Sequence, residues 1–463
     1  MRGQLHERGD RDMKRWQRLG WVVLFVSILF LLENGSARGE EPKGLFGNFH
    51  PYISVGEEYD SNIFLTHRDT KGDFITAVTG GLKFSTQDRT YGIDLNFQMG
   101  YLFYAEHHDL NFLSIGPSTL NAWYALAPNL TFRIRDYITR SDAAREQMYS
   151  GSAQLYSGSA PVYSGNAPVY SGNALPDQFL LSTVRGQKAI YIRNVVEPLL
   201  DYQFGKEDHF SVLYRDNIYR NENHRFEDSM ENTINPKLTY WFDINNGISL
   251  DYYLTQNTYQ HSPDQLINGA TPRYTYRFDP RTSIFGEYHF EWQDFKSPGV
   301  DYYVHNPSLG IQYKFSPTLS GTAQVGYFWQ IPVQGGKTQG PFFNLNLTKN
   351  TEKTIYALSF VGGYTEDYIT AQNLGFAKTY GVYGTINHKL TERMSVGVTG
   401  SLARDEFSSV QKDWVWGIWG NASYLILKWL TGSLQISYTE DHSNIKINSY
   451  RDYRGGLRLT AAF

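Results

Sequence analysis

The stretch SIFGEYHFEW, residues 283–292, alternates between two kinds of side chain in the way that a half-exposed β-strand requires. Successive side chains of an extended chain point to opposite faces. One face of this segment carries Ile284, Tyr288, Phe290 and Trp292, and the other carries Phe285, Glu287, His289 and Glu291. The same alternation recurs in ISLDYYL (248–254) and GSLQISY (432–438), so one apolar face per strand is predicted for much of the chain.

Turn signals interrupt these strands at a regular interval. Outside one long insertion, their centres recur about every 37 residues, which suits one hairpin of two strands of about ten residues each plus a loop. The nine signals are QDR (87–89), APN (127–129), KED (206–208), NNG (245–247), DPR (279–281), SPT (316–318), KNTEK (349–353), TER (391–393) and KWL (428–430). The segments that connect successive hairpins on the other side are longer and polar.

Nine turns join eighteen strands, and one strand before the first turn (about 49–60) and one after the last (about 448–463) make about twenty. We therefore predict an all-β fold, a transmembrane antiparallel up-and-down β-barrel of about 20 strands (18–22), with short periplasmic turns and long outer loops. A soluble propeller has a similar repeat, but its strands are shorter, and these strands would expose far too much apolar surface in water. Alternation is poor in predicted strands 4, 14 and 15.

The composition and the N-terminus point to an exported protein. The chain has no cysteine, 16% aromatic residues and 42 glycines, and its mean hydropathy of -0.45 does not suit a helical membrane protein. Basic residues precede an apolar run at residues 21–32, which predicts a cleaved signal peptide at 1–37 and a short periplasmic lead at 38–48. The barrel, 49–463, would then lie in the bacterial outer membrane with lipid as a partner. The formal net charge of -4 gives no indication of nucleic-acid binding.

Two stretches carry resemblances to known outer-membrane proteins. The last residues, YRGGLRLTAAF (453–463), resemble the closing strand of such proteins, which implies that Phe463 is the signal read by the barrel-assembly machinery. The opening PYISVGEEYDSNIFLT (51–66), through Tyr59-Asp60-Ser61-Asn62-Ile63-Phe64, resembles the entry to the putative beta-barrel porin 2 family. Barrels of that family often sit beside exopolysaccharide synthesis and export functions, so the resemblance implies a channel and leaves its cargo open.

Eight charged residues are candidates for the lumen wall, because they alternate with apolar residues about six to eight positions above the turn edge. On the lipid side an Arg or Lys at that depth would cost about 2–4 kcal/mol. The candidates are Arg133, Arg135, Asp201, Arg215, Lys237, Asp251, Arg273 and Glu287. They could form ion pairs that brace the wall, a mixed constriction that favours anionic or sugar-like solutes, or a catalytic site. Tyr191, Tyr219, Trp241 and Tyr253 share the inward phase and could form a track for a glycan.

The predicted function is passage of polar solutes, or assistance to exopolysaccharide export, through a water-filled lumen. A structural or adhesive surface barrel with a closed lumen is the alternative, and an outer-membrane lipid- or glycan-modifying enzyme is a distant third. The sequence contains no Gly-x-Ser-x-Gly, His-Glu-x-x-His, phosphate-binding Gly-Lys-Ser/Thr or EF-hand motif. No catalytic residue, metal ligand or cofactor is therefore expected.

Residues 142–186 form a predicted outer loop with a seven-residue repeat, whose unit Tyr-Ser-Gly-Ser/Asn-Ala returns from Tyr149 to Tyr170. Recurrent glycine and proline exclude a coiled coil and favour a series of turns. Disorder, a lid or a sugar- or surface-binding fringe all remain open for this loop.

Deletion of residues 149–175 should leave the barrel folded, because the repeat lies between two strands and supplies no strand itself. Heat-modifiable migration on a denaturing gel, compared with the full chain, measures this. Loss of the fast-migrating folded band in the deletion variant would show that the repeat is part of the barrel.

Overall fold

The computed structural model describes residues 48–142, 189–367, 375–407 and 411–463. The predicted signal peptide, the lead up to residue 47 and the repeat from residue 149 to 175 lie outside the described residues.

The described residues form twenty strands, which confirms the predicted fold class. They are β1 Phe49–Asp60, β2 Asp73–Gln87, β3 Tyr91–Tyr104, β4 Phe112–Ala127, β5 Leu130–Asp142, β6 Ile190–Gln203, β7 His209–Asn221, β8 Ser229–Trp241, β9 Asn246–Tyr259, β10 Gln265–Asp279, β11 Thr282–Phe295, β12 Tyr302–Ser316, β13 Leu319–Pro332, β14 Thr338–Asn350, β15 Thr354–Asp367, β16 Gly375–Lys389, β17 Met394–Phe407, β18 Lys412–Leu427, β19 Leu430–Ser443 and β20 Tyr450–Ala462.

Each strand pairs antiparallel with the next, and the sheet closes on itself. β1 pairs with β20 from Tyr52 opposite Ala462 to Asp60 opposite Arg454. Short 3-10 turns at His108–Leu110 and Lys446–Asn448 lie between strands on the outer side. Closure gives the first and last strands the hydrogen-bonding partners that an open sheet would lack in lipid.

The two faces of the sheet differ as the alternation predicts. In β11, Ile284, Tyr288 and Trp292 are exposed, whereas His289 and Glu291 are buried. Elsewhere, too, large apolar side chains are exposed; Leu309, for example, is 70% exposed. An apolar belt around the outside suits contact with lipid.

The last strand follows the predicted phase. Tyr453, Leu457, Leu459 and Phe463 are all exposed on the apolar face. The amide of Phe463 donates a hydrogen bond to the carbonyl of Pro51 at 3.0 Å, which fastens the end of the chain to β1. Recognition of Phe463 by the barrel-assembly machinery stays a prediction.

The strands with weak alternation are also irregular in the structure. The pairing of β4 with β5 shifts register between Ile115 and Ser118. The pairing of β14 with β15 runs only from Asn350 opposite Ile355 to Phe343 opposite Gly362. Among the described residues, no helix is long and apolar enough to span a membrane.

The assignment of faces can be tested with two neighbouring residues of β19, Ile436 and Gln435. Ile436 is 57% exposed on the apolar face, so Ile436→Arg should lower the free energy of unfolding by about 2–4 kcal/mol. Gln435 points the other way, opposite Asn421 and Gly456, so Gln435→Arg should change it by less than about 0.5 kcal/mol. Urea unfolding in lipid vesicles measures both; equal losses would contradict the assigned faces.

Candidate lumen site

All eight candidate charged residues lie on the face of the sheet opposite the exposed apolar belt. Arg133 and Arg135 alternate with Phe132 and Ile134 in β5, and Arg273 precedes exposed Tyr274 in β10. Ion pairs with residues on neighbouring strands include Arg135–Glu197, Arg215–Glu197, Lys237–Asp251 and Arg273–Glu287, and a carboxylate oxygen of Asp201 lies 3.4 Å from Nδ1 of His209. Arg133 lies opposite Trp123 and Leu199 on the same face.

The strongest group is a ladder of four charges across β5, β6, β7 and β8. Glu197 lies 3.3 Å from Arg135 on one side and 2.7 Å from Arg215 on the other. Arg215 reaches Glu231 at 3.7 Å. Glu197 is only 7% exposed, so its two arginine partners compensate a carboxylate that has lost most of its water. The ladder therefore braces four strands from the inside.

Two further pairs join residues that are directly opposite each other on adjacent strands. Lys237 Nζ lies 3.6 Å from Asp251, whose other oxygen accepts a hydrogen bond from Asn235 Nδ2 at 2.7 Å. Arg273 lies 3.7 Å from Glu287 and also stacks on the ring of Phe285, with Cζ 3.5 Å from the centroid. Direct cross-strand opposition puts side chains within reach of each other, which explains why these pairs form.

At the turn edge, Arg277 joins β10 to the β6–β7 turn. Its guanidinium stacks on the Trp241 ring at 3.5 Å and donates a hydrogen bond to Glu207 at 2.5 Å. This hydrogen bond holds the pKa of the Glu207 carboxyl below its ordinary value. Trp241 thus packs against a cation in the described structure.

Two members of the ladder, Glu197 and Glu231, were not among the predicted residues. Both lie on the inner face, and Glu197 has the same phase in β6 as Asp201, so the alternation alone could have identified it. With both included, this set of ten inner residues comprises five cations, Arg133, Arg135, Arg215, Lys237 and Arg273, and five carboxylates, Glu197, Asp201, Glu231, Asp251 and Glu287. The set is therefore balanced in charge rather than basic.

A second group of inner residues connects strands that are not neighbours. Gln293 of β11 donates a hydrogen bond to Glu366 of β15 at 2.6 Å, and Tyr302 of β12 donates to the same carboxylate at 2.9 Å. Glu291 lies beside them and accepts hydrogen bonds from Gln293 and from Tyr253 of β9. These contacts bring the outer part of the wall together across the inside of the barrel.

The remaining aromatic candidates, Tyr191, Tyr219 and Tyr253, stack on neighbouring inner rings. Tyr191 and Tyr219 are both buried, and their rings stack with centroids 4.8 Å apart. Tyr253 stacks on His289 at 6.3 Å. Of the described residues, no group of three or more His, Asp or Glu side chains is arranged to hold a metal ion.

Two solved structures of distant sequence are similar to the chain. The siderophore receptor PirA from Pseudomonas aeruginosa is 9% identical, with 92% of this chain and 81% of that chain covered and a TM-score of 0.48. The FrpB iron transporter from Neisseria meningitidis, in its apoprotein form, is 10% identical, with 91% and 82% covered and a TM-score of 0.49. No curated protein sequence matches the chain.

The family comparison agrees with the motif at the end of β1, although it covers the other half of the chain. The model of the putative beta-barrel porin 2 family matches residues 222–463, which is more than half of the 463 residues. A closed β-barrel of this family is typical of transport proteins of the bacterial outer membrane. The chain belongs to the putative beta-barrel porin 2 family.

Proposed function

We propose that this barrel is an outer-membrane channel through which polar solutes pass passively, or which assists the exit of exopolysaccharide, without covalent chemistry. The observation that carries the proposal is the ion-paired inner wall. Charged residues at mid-membrane depth need water or a charged partner, and the paired wall provides partners while leaving polar groups toward the lumen. The side chain of Arg135 remains 51% exposed, and this exposure supports a lumen that is accessible to water.

The charge balance supports selection by polarity and size more than by sign. Cations and carboxylates are interleaved along the ladder from Arg135 to Glu231, so a passing solute meets both signs at short range. Neutral, hydroxyl-rich molecules can bond to both. This favours sugar-like solutes over simple anions within the predicted range of cargo. The association of the family with exopolysaccharide functions supports the same class.

The alternative is a surface barrel with a closed lumen, and one specific observation favours it. Glu366 accepts hydrogen bonds from Gln293 and Tyr302, which belong to strands on the other side of β13 and β14. Such contacts narrow the outer part of the barrel. The proposal of a channel requires a continuous path past them.

The purified protein should produce discrete conductance steps in a planar lipid bilayer, because a lumen with charged walls holds water and ions. A heat-unfolded sample of the same preparation serves as the control. Folded protein that inserts into the bilayer and gives no steps would contradict the channel and favour the closed barrel.

Replacement of Arg135, Arg215 and Arg273 by Gln in one variant should shift the ion selectivity toward cations. The change leaves Glu197, Glu231 and Glu287 without their arginine partners, so the wall becomes negative. The reversal potential under a salt gradient measures the shift. The matched control replaces three exposed turn cations, Lys353, Arg393 and Lys428, by Gln. Equal reversal potentials for the triple variant and the control would show that these three arginines do not line the conducting path.

A further inference from the structure

The wall is not paired along its full height between β14 and β15. Pairing ends at Phe343 opposite Gly362. Above that point residues 338–342 continue to pair with β13, and residues 363–367 continue to pair with β16. The two strand segments therefore separate over their outer five residues, and we name this gap the β14–β15 seam.

The outer part of β15 lies on the lumen side of the seam. The five consecutive residues Val361–Thr365 are all buried, whereas a strand in a single-layer wall would expose alternate residues to lipid. Gly363 has a backbone φ of +155°, which residues with a side chain rarely adopt. We take this residue as the place where the strand bends. Beyond it the ring of Tyr364 packs on Phe328 of β13 with centroids 5.1 Å apart.

Aromatic side chains fill the seam because glycines leave room for them. A Cβ added to Gly362 would lie 2.4 Å from Phe343 and 2.6 Å from Tyr380, and one added to Gly363 would lie 2.8 Å from Phe342. The hydroxyl of Tyr380 reaches across to β14, 2.8 Å from the position of a Cβ on Gly340. Rings that fill a gap by packing can rotate away, whereas backbone hydrogen bonds between strands would have to break.

The lipid-facing side next to the seam carries an excess of cations. Lys378 of β16 lies 3.5 Å from Glu406, and Arg404 of β17 pairs with the same carboxylate, so one positive charge remains. Lys337, in the loop before β14, lies over the ring of Trp329 at 5.5 Å. Cations beside tryptophan at a membrane boundary are suited to anionic headgroups.

We propose that the β14–β15 seam is a lateral opening between the lumen and the outer leaflet, and that it admits an amphipathic molecule with acyl chains and an anionic headgroup. The acyl chains enter between Phe342 and Tyr380, and the headgroup meets Lys378, Arg404 and Lys337. This goes beyond the proposed passage of polar solutes along the barrel axis, and each can fail while the other stands.

Because the natural chain has no cysteine, a single introduced thiol can report on the seam. Phe342→Cys, which places the thiol on the inner face at the seam, is labelled with a fluorophore and reconstituted in phosphatidylcholine vesicles that contain lipid with spin-labelled acyl chains. The expected result is loss of fluorescence by contact with the spin label. Phe285→Cys, also buried on the inner face but between strands that are fully paired around it, is the matched control and should retain its fluorescence.

Equal fluorescence at positions 342 and 285, with heat-modifiable migration preserved in both variants, would overturn the lateral opening. Conductance in the planar bilayer tests the axial channel separately.

The headgroup is tested with the same labelled Phe342→Cys variant and two quenchers, spin-labelled phosphatidylglycerol and spin-labelled phosphatidylcholine. The anionic lipid should quench more strongly, and Lys378→Gln with Arg404→Gln should remove the difference. Lys296→Gln, in the β11–β12 loop, should retain it. Equal quenching by both lipids before any charge is removed would overturn the anionic headgroup.

Discussion

Every backbone N–H and C=O group in the hydrocarbon region needs a partner from the protein, and this constraint determines the form of the molecule. It requires β1 to meet β20, and side chains near the family motif fasten that junction. Buried Asn62 donates hydrogen bonds to the carbonyls of Thr66 and Arg451, both at 2.9 Å, and Ser61 Oγ accepts one from the Tyr453 amide at 2.7 Å. Arg454 lies 3.3 Å from Asp60 and 2.5 Å from Asp452. The resemblance noted in the sequence thus corresponds to the closure of the barrel.

Closure also explains why the inner charges form pairs rather than isolated groups. Antiparallel pairing in fixed register places Lys237 opposite Asp251 and Arg273 opposite Glu287, so each strand supplies a partner for its neighbour. A carboxylate that is 7% exposed, such as Glu197, would be costly without its two arginines. The same pairs that stabilise the wall balance each other in charge, and this balance is the basis of the proposed passage of hydroxyl-rich solutes.

The number of strands, the nine turns and the two faces could be predicted from the sequence because each depends on neighbouring residues in one segment. Partners such as Glu197 for Arg215 depend on the register between two strands, which no single segment specifies. The contacts of Glu366 with Gln293 and Tyr302 join strands that are far apart in the sequence, so no single segment could have predicted them. The weak alternation of strands 14 and 15 was a local sign of the seam, and Gly362-Gly363 was the residue pair that could have located it.

The barrel therefore has two junctions of different character. At β1–β20, hydrogen bonds and ion pairs from Asp60, Ser61 and Asn62 hold strands that are already paired by their backbones. At the outer part of β14–β15, aromatic rings such as Tyr380 and Phe342 occupy a gap between backbones that have separated. Opening the first junction would require many hydrogen bonds to break in lipid, while opening the second requires rings to move apart. A lateral route through this wall would therefore form at β14–β15 and not where the chain ends meet.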